Sequence, residues 1–220
     1  NPQLFVRWLG SEAATRVTTL PNDPNALAWS PDGHRLAYIA TVAGEPTRLG
    51  KAPAKPEGAK WAEPLEVIDR VNYRADGGGY IKPGNDHVFV VSADGGGARQ
   101  LTFGKFDDSG PLSWSPDGRT ILFSAIRTPD AERQVMNSDV YAVDAASGEL
   151  RTLTTRDGPD NAPVFSPDGA RIAWLGFDDH HRSYENTQLY VGGRTADAPR
   201  SLTASLDRAI EDAAWSADGK

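Results

Sequence analysis

Apolar residues fall in short runs along the chain, and each run is bounded by Gly, Pro, Asp or Ser. Three runs are apolar at nearly every position, at residues 36–41, 120–126 and 170–175. Three further runs combine aromatic and aliphatic residues, at 87–92, 139–144 and 188–191. Runs of this length predict β-strands, and runs that are apolar on both faces are typical of a sheet covered on both sides.

A pentapeptide precedes each of the three runs of the first set, and a fourth copy lies at 215–219. It reads Trp-Ser-Pro-Asp-Gly at 29–33 and 114–118, Phe-Ser-Pro-Asp-Gly at 165–169, and Trp-Ser-Ala-Asp-Gly at 215–219. Ser and Pro suit the start of a type I turn, Asp bonds nearby backbone, and Gly accepts a positive φ. The pattern predicts a hairpin turn, and it assigns Asp32, Asp117, Asp168 and Asp218 to the turn rather than to a catalytic pair of acids.

A second marker, Arg-x-Leu-Thr, closes each unit at 99–102, 151–154 and 200–203. The two markers define repeating units of four strands, which are typical of the blades of a β-propeller. An ordinary β-sandwich with coincidental turns is the alternative. We therefore predict an all-β propeller fragment of four-stranded antiparallel blades, with three complete blades and two partial ones.

The markers also place the blade boundaries. Complete blades are expected at about 25–103, 108–155 and 160–204. Residues 1–21 are predicted to end a preceding blade, through strands at 4–7 and 16–20, and residues 210–220 to begin the next. Because a propeller must close, we expect the chain to be part of a larger protein.

The first complete blade carries an insertion at about 44–84, between its second and third strands. Long insertions in compact repeats are often functional. The insertion contains Tyr73, Arg74, Asp76 and Tyr80 around three glycines, and two phenols, a guanidinium and a carboxylate could line an entrance or hold a peptide. The alternative is that Arg74 and Asp76 pair with each other and only order the loop.

Composition narrows the function. With 22 Gly and 16 Pro among 220 residues, an all-helical fold is excluded. The net charge of −7 and the absence of a basic patch argue against nucleic-acid binding. No apolar run is long enough to span a membrane, no signal pattern is present, and we expect a cytoplasmic location.

Searches for catalytic and metal-binding patterns give little. There is no Gly-x-Ser-x-Gly motif and no Cys, and the glycines at 77–79 and 95–97 are interpreted as turns. Asp178, Asp179, His180 and His181 are adjacent, but neighbouring strand residues point to opposite faces, so a solvated loop is favoured over a metal site. His34 and His87 have no partner motif. We predict no catalytic residue, no metal and no cofactor in this chain.

The turn and the Arg-x-Leu-Thr marker resemble the TolB-like propeller repeat, which also occurs in the N-terminal propellers of the prolyl oligopeptidase family of serine peptidases. The segment 69–80, Asp-Arg-Val-Asn-Tyr-Arg-Ala-Asp-Gly-Gly-Gly-Tyr, is similar to a segment of the acylaminoacyl-peptidase-like members. The resemblance extends over nearly the whole chain. The dipeptidyl peptidases hold a free amino terminus with a pair of Glu residues that has no clear counterpart here, which favours the acylaminoacyl-peptidase or oligopeptidase members.

The resemblance implies a parent enzyme in which the propeller covers an α/β-hydrolase domain bearing Ser, Asp and His. The parent would release N-acylated amino acids or short peptides, and the propeller would exclude large substrates. Expected partners are therefore the hydrolase domain, the remaining blades, short peptides and, through exposed blade faces, other copies of the chain. The alternative function is a non-enzymatic, TolB-like propeller that binds a protein or peptide.

Overall fold

The structure is a computed structural model that describes residues 2–11, 13–51, 53–62, 65 and 67–219. Strands dominate it, and the described residues contain one short 3-10 helix, Ala131–Arg133, and no α-helix. Within them, no helix has the length and apolar character needed to cross a membrane.

The described residues contain sixteen strands, which form five antiparallel sheets. In chain order they are β1 (Phe5–Arg7), β2 (Ala14–Arg16), β3 (Asn25–Trp29), β4 (Arg35–Ala43), β5 (Arg74–Ala75), β6 (Gly79–Tyr80), β7 (Gly84–Ser92), β8 (Arg99–Gln100), β9 (Asp108–Trp114), β10 (Thr120–Ala125), β11 (Asp139–Asp144), β12 (Leu150–Thr152), β13 (Asp160–Phe165), β14 (Arg171–Gly176), β15 (Gln188–Gly193) and β16 (Arg200–Ser201). Three sheets have four strands: β3-β4-β7-β8, β9 to β12, and β13 to β16. We call them the first, second and third blades.

Each blade has an apolar cluster on its faces, because its central strands are apolar on both sides. One cluster joins the first and second blades through Ile39, Val88 and Phe123. Another joins the second and third through Leu122 and Trp174. The β1–β2 pair covers the other face of the first blade with Leu4, Val6 and Val17. The sheets are therefore stacked face to face.

The four predicted turns share one hydrogen-bonding pattern. In each, the Ser hydroxyl donates to the Asp carboxylate two residues later, at 2.5–2.6 Å. The Gly N–H donates to the Ser carbonyl at 2.8–2.9 Å, and the four glycines have φ of 67–72°. In the three blades, the N–H five residues after the Ser donates back to its hydroxyl at 2.9 Å. The interpretation of these aspartates as turn formers is confirmed.

The Thr that ends each Arg-x-Leu-Thr marker has a specific structural role. Its hydroxyl accepts the N–H of the residue fourteen positions earlier, which lies in the third strand: Val88 to Thr102, Val140 to Thr154 and Leu189 to Thr203, at 2.8–2.9 Å. The same bond joins Leu4 to Thr18 at 2.9 Å. Thr18 is therefore a fourth copy of a marker that the sequence did not reveal, since no Leu precedes it.

One predicted strand is misplaced. The strand expected at 16–20 lies instead at Ala14–Arg16. The chain leaves the sheet after Val17 because side chains replace its backbone partners: the Thr18 hydroxyl takes the Leu4 N–H, and Gln3 Oε1 takes the Leu20 N–H at 2.8 Å.

Aromatic residues of the turns link one blade to the next. Trp114 Nε1 donates to the Ala28 carbonyl of the first blade at 3.1 Å, and Trp215 Nε1 donates to the Val164 carbonyl of the third blade at 3.3 Å. An arginine from the preceding blade lies over each indole, Arg35 over Trp114 and Arg171 over Trp215, within 5.0 Å of the ring centre. These contacts fasten the blades at the end that carries the turns.

Buried acids occupy the opposite end of the blades, where their first strands begin. Asp160 has a fully buried side chain that pairs with Arg156 and accepts a hydrogen bond from Trp174 Nε1 at 2.9 Å. Asp139 lies nearby and accepts from the Thr154 hydroxyl at 3.3 Å. Burial and, second, the neighbouring charge of Asp160 together raise the pKa of Asp139 to about 6. The two carboxylates thus lie close to each other at one blade junction.

Replacing the turn serine tests how much the turns stabilise the fold. Ser115→Ala removes the hydroxyl that accepts the Thr120 N–H and donates to Asp117, so we expect the free energy of unfolding to fall by about 1–3 kcal/mol. Chemical denaturation measures this. Ser216→Ala is the matched control, because Ser216 makes the same bond to Asp218 but is exposed. Equal losses in the two variants would contradict the prediction.

The Asp139 carboxyl predicts a specific pH dependence. Because its folded pKa is raised, its contribution to stability is complete below about pH 4 and is lost as pH rises through about 6. Asp139→Asn should therefore raise the free energy of unfolding at pH 7.5 by about 1 kcal/mol, after allowance for solvent screening, and leave it unchanged at pH 4.

Asp144→Asn is the control with the opposite sign. Hydrogen bonds from the Ser147 and Ala146 N–H groups lower the pKa of Asp144, so its stabilisation is present above the unfolded pKa and is lost as pH falls. This variant should be less stable at pH 7.5. Denaturant titrations at the two pH values measure both, and a loss of stability at pH 7.5 in Asp139→Asn would refute the prediction.

Candidate functional site

The inserted segment leaves the first blade without disturbing it. β4 and β7 stay paired up to Ala43 and Gly84, and the Gly44 N–H then donates to the Pro83 carbonyl at 3.0 Å. Further out, the Thr47 hydroxyl bonds to Asp69. The segment is thus closed at its base and folds back on itself at the end of the blade opposite the Ser-Pro-Asp-Gly turns.

The four predicted site residues lie on a small hairpin within this segment. β5 and β6 pair Arg74 with Tyr80, and the Ile81 N–H donates to the Tyr73 carbonyl at 2.8 Å. The turn requires glycine, since Gly77 and Gly79 have φ of 75° and 80°. The hairpin brings the rings of Tyr73 and Tyr80 to 6.3 Å between centroids, tilted by 33°.

All four side chains are open to solvent. Tyr73 is 43% exposed and Tyr80 58%, and Arg74 and Asp76 are also exposed. Arg74 and Asp76 do not come within 4 Å of each other as an ion pair, and the backbone bonds order the hairpin instead. The alternative in which this pair orders the loop therefore finds no support in the geometry.

A groove runs between the hairpin and the rest of the inserted segment. Its lining combines aliphatic and aromatic residues with three charged residues, Glu45, Asp69 and Arg70. The lining residues are Glu45, Pro46, Thr47, Leu65, Val67, Ile68, Asp69, Arg70, Tyr73, Tyr80, Ile81 and Pro83. Such a surface offers rings and aliphatic groups for apolar contacts and charged groups for hydrogen bonds to a ligand.

The inserted segment also contacts the second blade. The Val71 N–H donates to Glu132 Oε2 at 2.8 Å, and Glu132 lies in the 3-10 helix between β10 and β11. Sequence reasoning missed Glu132, because its partner is 61 positions away and no motif marks either residue. This contact fixes the segment between Asp69 and the hairpin relative to the next blade.

The other polar candidates do not converge. His180 Nδ1 lies 3.1 Å from Glu185, His181 Nδ1 lies 3.4 Å from Asp179, and Asp178 binds Arg156. In the described ranges, no three His, Cys, Asp or Glu side chains come together as a metal site. The solvated-loop interpretation agrees with the exposure of both imidazoles, whose side chains are 60% and 91% accessible.

The remaining histidines have structural surroundings. The backbone N–H of His34 donates to the turn carboxylate of Asp32 at 3.0 Å. His87 is buried between the first two blades, with Nδ1 3.6 Å from Asp108, whose carboxylate also binds Arg127 and Thr102. These two imidazoles therefore lie in a turn and at a blade junction.

The stacked four-stranded sheets define the class of the protein as a β-propeller. The solved acylaminoacyl peptidase of Pyrococcus horikoshii superposes on the chain with a TM-score of 0.65 at 18% identity, over 96% of this chain and 30% of that one. The predicted fold class is confirmed.

The family is more specific than the fold. The model of the dipeptidyl peptidase IV (DPP IV) N-terminal region matches residues 57–174, more than half of the chain and including the hairpin. The chain belongs to this family, and the predicted kinship with the N-terminal propellers of prolyl oligopeptidase-type peptidases is confirmed.

Two curated relatives agree with the family. Dipeptidyl-peptidase 5 of Porphyromonas gingivalis is 30% identical over 111 residues, which is 50% of this chain and 16% of that protein. The relative named uncharacterized peptidase YuxL, of Bacillus subtilis, is 29% identical over 141 residues, 63% of this chain and 20% of that protein. The chain thus spans a fifth or less of the length of these relatives.

Removing the hydrogen bond between Val71 and Glu132 of the second blade should make the inserted segment more mobile. Glu132→Ala deletes the acceptor of the Val71 N–H, so we expect limited proteolysis within residues 65–82 to become several-fold faster while the blades stay intact. Glu149→Ala is the matched control, because Glu149 is an exposed acid of the second blade that pairs only with Arg151 and the turn beside it. Unchanged cleavage of the inserted segment in Glu132→Ala would show that the contact does not restrain it.

Proposed function

We propose that this chain is the propeller part of a serine peptidase of the prolyl oligopeptidase family, in which it covers an α/β-hydrolase domain and limits access to short or N-acylated peptides. The observation that carries the proposal is the hairpin of Tyr73, Arg74, Asp76 and Tyr80, exposed at one end of the blades and included in the family match.

The chemistry of this site is binding rather than bond cleavage. The two phenol rings offer apolar surface and hydroxyl groups to a peptide. Arg74 can hold a carboxylate, and Asp76 can hold an amine or a backbone N–H. The Ser, Asp and His of the reaction are proposed to lie on the hydrolase domain, and no residue of this chain is assigned a catalytic role.

The test compares this chain alone with the longer protein that contains it. Both are assayed on an N-acylated amino-acid anilide and on a dipeptide anilide with a free amino terminus, before and after treatment with a serine-directed phosphonate. We expect hydrolysis by the longer protein alone, and its loss after treatment. Activity of the isolated chain, or a longer protein with no hydrolase domain and no phosphonate-sensitive activity, would overturn the proposal and favour a propeller that only binds a partner.

The two substrates also decide between substrate classes. Preference for the acylated substrate agrees with an acylaminoacyl peptidase, whereas preference for the free dipeptide agrees with the curated relative that is named as a dipeptidyl-peptidase. Either result is compatible with the proposed role of the propeller.

The access role of the hairpin predicts a kinetic change. In the longer protein, Tyr73→Ala combined with Tyr80→Ala removes both rings, so we expect KM for a short peptide to rise by roughly 3- to 10-fold with kcat little changed. Tyr184→Ala is the control, because Tyr184 is 83% exposed and lies outside the inserted segment, on the third blade. Equal KM values for the double variant and the control would refute the role of the hairpin.

A further inference from the structure

The first blade exposes two large side chains whose counterparts on the second blade are buried. Leu27 and Trp29 lie on β3 and point away from the second blade, and they are 55% and 50% exposed. Their counterparts on β9, Leu112 and Trp114, are each only 8% exposed. The difference arises because the first blade covers Leu112 and Trp114, whereas the β1–β2 pair reaches only the middle of the first blade's outer face.

The buried counterpart shows what covers such a tryptophan. Trp114 Nε1 donates to a carbonyl on the first strand of the neighbouring blade, and Arg35 of that blade lies 5.0 Å from its ring centre. The guanidinium of Arg35 also donates to the Gly118 carbonyl at 2.9 Å, in the turn that follows Trp114. One arginine therefore binds both the ring and the turn.

The same arrangement occurs a second time. Trp215 donates to the Val164 carbonyl, Arg171 lies 4.8 Å from the Trp215 ring centre, and its guanidinium bonds to the Gly219 carbonyl. Arg35 and Arg171 occupy the same place in the repeat, two residues after the turn glycine at the start of the second strand. Two independent junctions thus share one pairing of arginine with tryptophan.

At the remaining junction, both the tryptophan and the arginine of this pairing are replaced. Between the second and third blades the aromatic residue is Phe165, and the place of the arginine is taken by Thr120. A different arginine, Arg194 of the third blade, lies 5.4 Å from the Phe165 ring centre and binds Asp117 at 3.0 Å. In this chain the arginine two residues after the glycine therefore accompanies tryptophan, and threonine accompanies phenylalanine.

We infer that the face formed by Leu27 and Trp29 is a docking surface for one further hairpin of this same repeat, whose first strand offers a backbone carbonyl to Trp29 Nε1 and whose second strand begins with an arginine. The arginine is specified because the residue to be covered is a tryptophan rather than a phenylalanine. This inference rests on the repeat and is independent of the proposed peptidase function.

The repeat also indicates where a covering hairpin would join the chain. Gln3 and Leu4 correspond to Gln188 and Leu189 of the third blade, because Leu4 and Leu189 both donate to the Thr fourteen positions later. In the third blade the hairpin of β13 and β14 leads into β15 at Gln188. A hairpin joined in the same way to Gln3 would reach the face that carries Leu27 and Trp29.

The chain supplies its own probe. A copy of residues 158–187 joined ahead of Gln3 in the otherwise full chain places a second Val164 carbonyl and a second Arg171 opposite Trp29, as the originals lie opposite Trp215. The protein is labelled with 5-fluorotryptophan, and the Trp29 signal is assigned with Trp29→Phe. Broadening of the Trp29 signal by a soluble paramagnetic agent should fall at least several-fold in the extended chain. The decrease in Tm caused by Trp29→Phe should be larger in the extended chain than in the original chain.

Matched variants make the result decisive. The same extension with its copied arginine replaced by threonine should protect Trp29 less, and equal protection would overturn the requirement for arginine. The buried Trp114 and Trp174 signals report whether each protein is folded. A folded extended chain in which Trp29 stays as accessible as before would overturn the docking surface.

A second measurement uses the chain without extension. Trp29→Ala should leave its Tm nearly unchanged while Trp114→Ala lowers it by several degrees, and a comparable loss for Trp29→Ala would show that Trp29 is already covered. Protection of Trp29 that rises with protein concentration would identify a second copy of the chain as the occupant and would overturn the inference.

Discussion

The stacking of sheets that are apolar on both faces is the constraint on which the rest of this structure depends. A central strand such as β10 places Ile121 and Phe123 against the first blade and Leu122 against the third, so no face of the sheet can be left to water. A blade of this kind needs cover on both faces, and the second blade receives it from a four-stranded unit on each side. Turns, markers and blade-to-blade contacts then hold neighbouring units at the spacing that the apolar clusters need.

Polar contacts complete what apolar burial cannot specify. Apolar faces can slide over one another, whereas an indole that donates to one carbonyl under one guanidinium has a single position. The junction of the second and third blades shows how the requirement tolerates change: the ring of Phe165 has no N–H to donate, and Arg194 reaches from the other side to cover the ring and bind Asp117. The position of the cation can move as long as the ring and the turn are both held.

Sequence reasoning recovered the strands and turns because their signals are local. The turn at 115–118 is specified by four adjacent residues, and the strand at 139–144 has the same bounds in the structure. It failed at 16–20, where the Thr18 hydroxyl and Gln3 amide replace backbone partners, and at Glu132, whose role depends on a residue 61 positions away. It placed Tyr73, Arg74, Asp76 and Tyr80 on one loop, but the pairing of the two rings became visible only with the hairpin.

The base of the inserted segment has a consequence for how this scaffold can vary. Because β4 and β7 stay in register up to Ala43 and Gly84, the blade itself holds the two ends of the inserted segment together. The entropy of closing such a loop grows slowly, by about 0.6 kcal/mol for each doubling of its length. Residues can therefore be added to or removed from the tip of the segment at little cost in the free energy of folding. The same blade can thus carry inserted segments of different length and specificity.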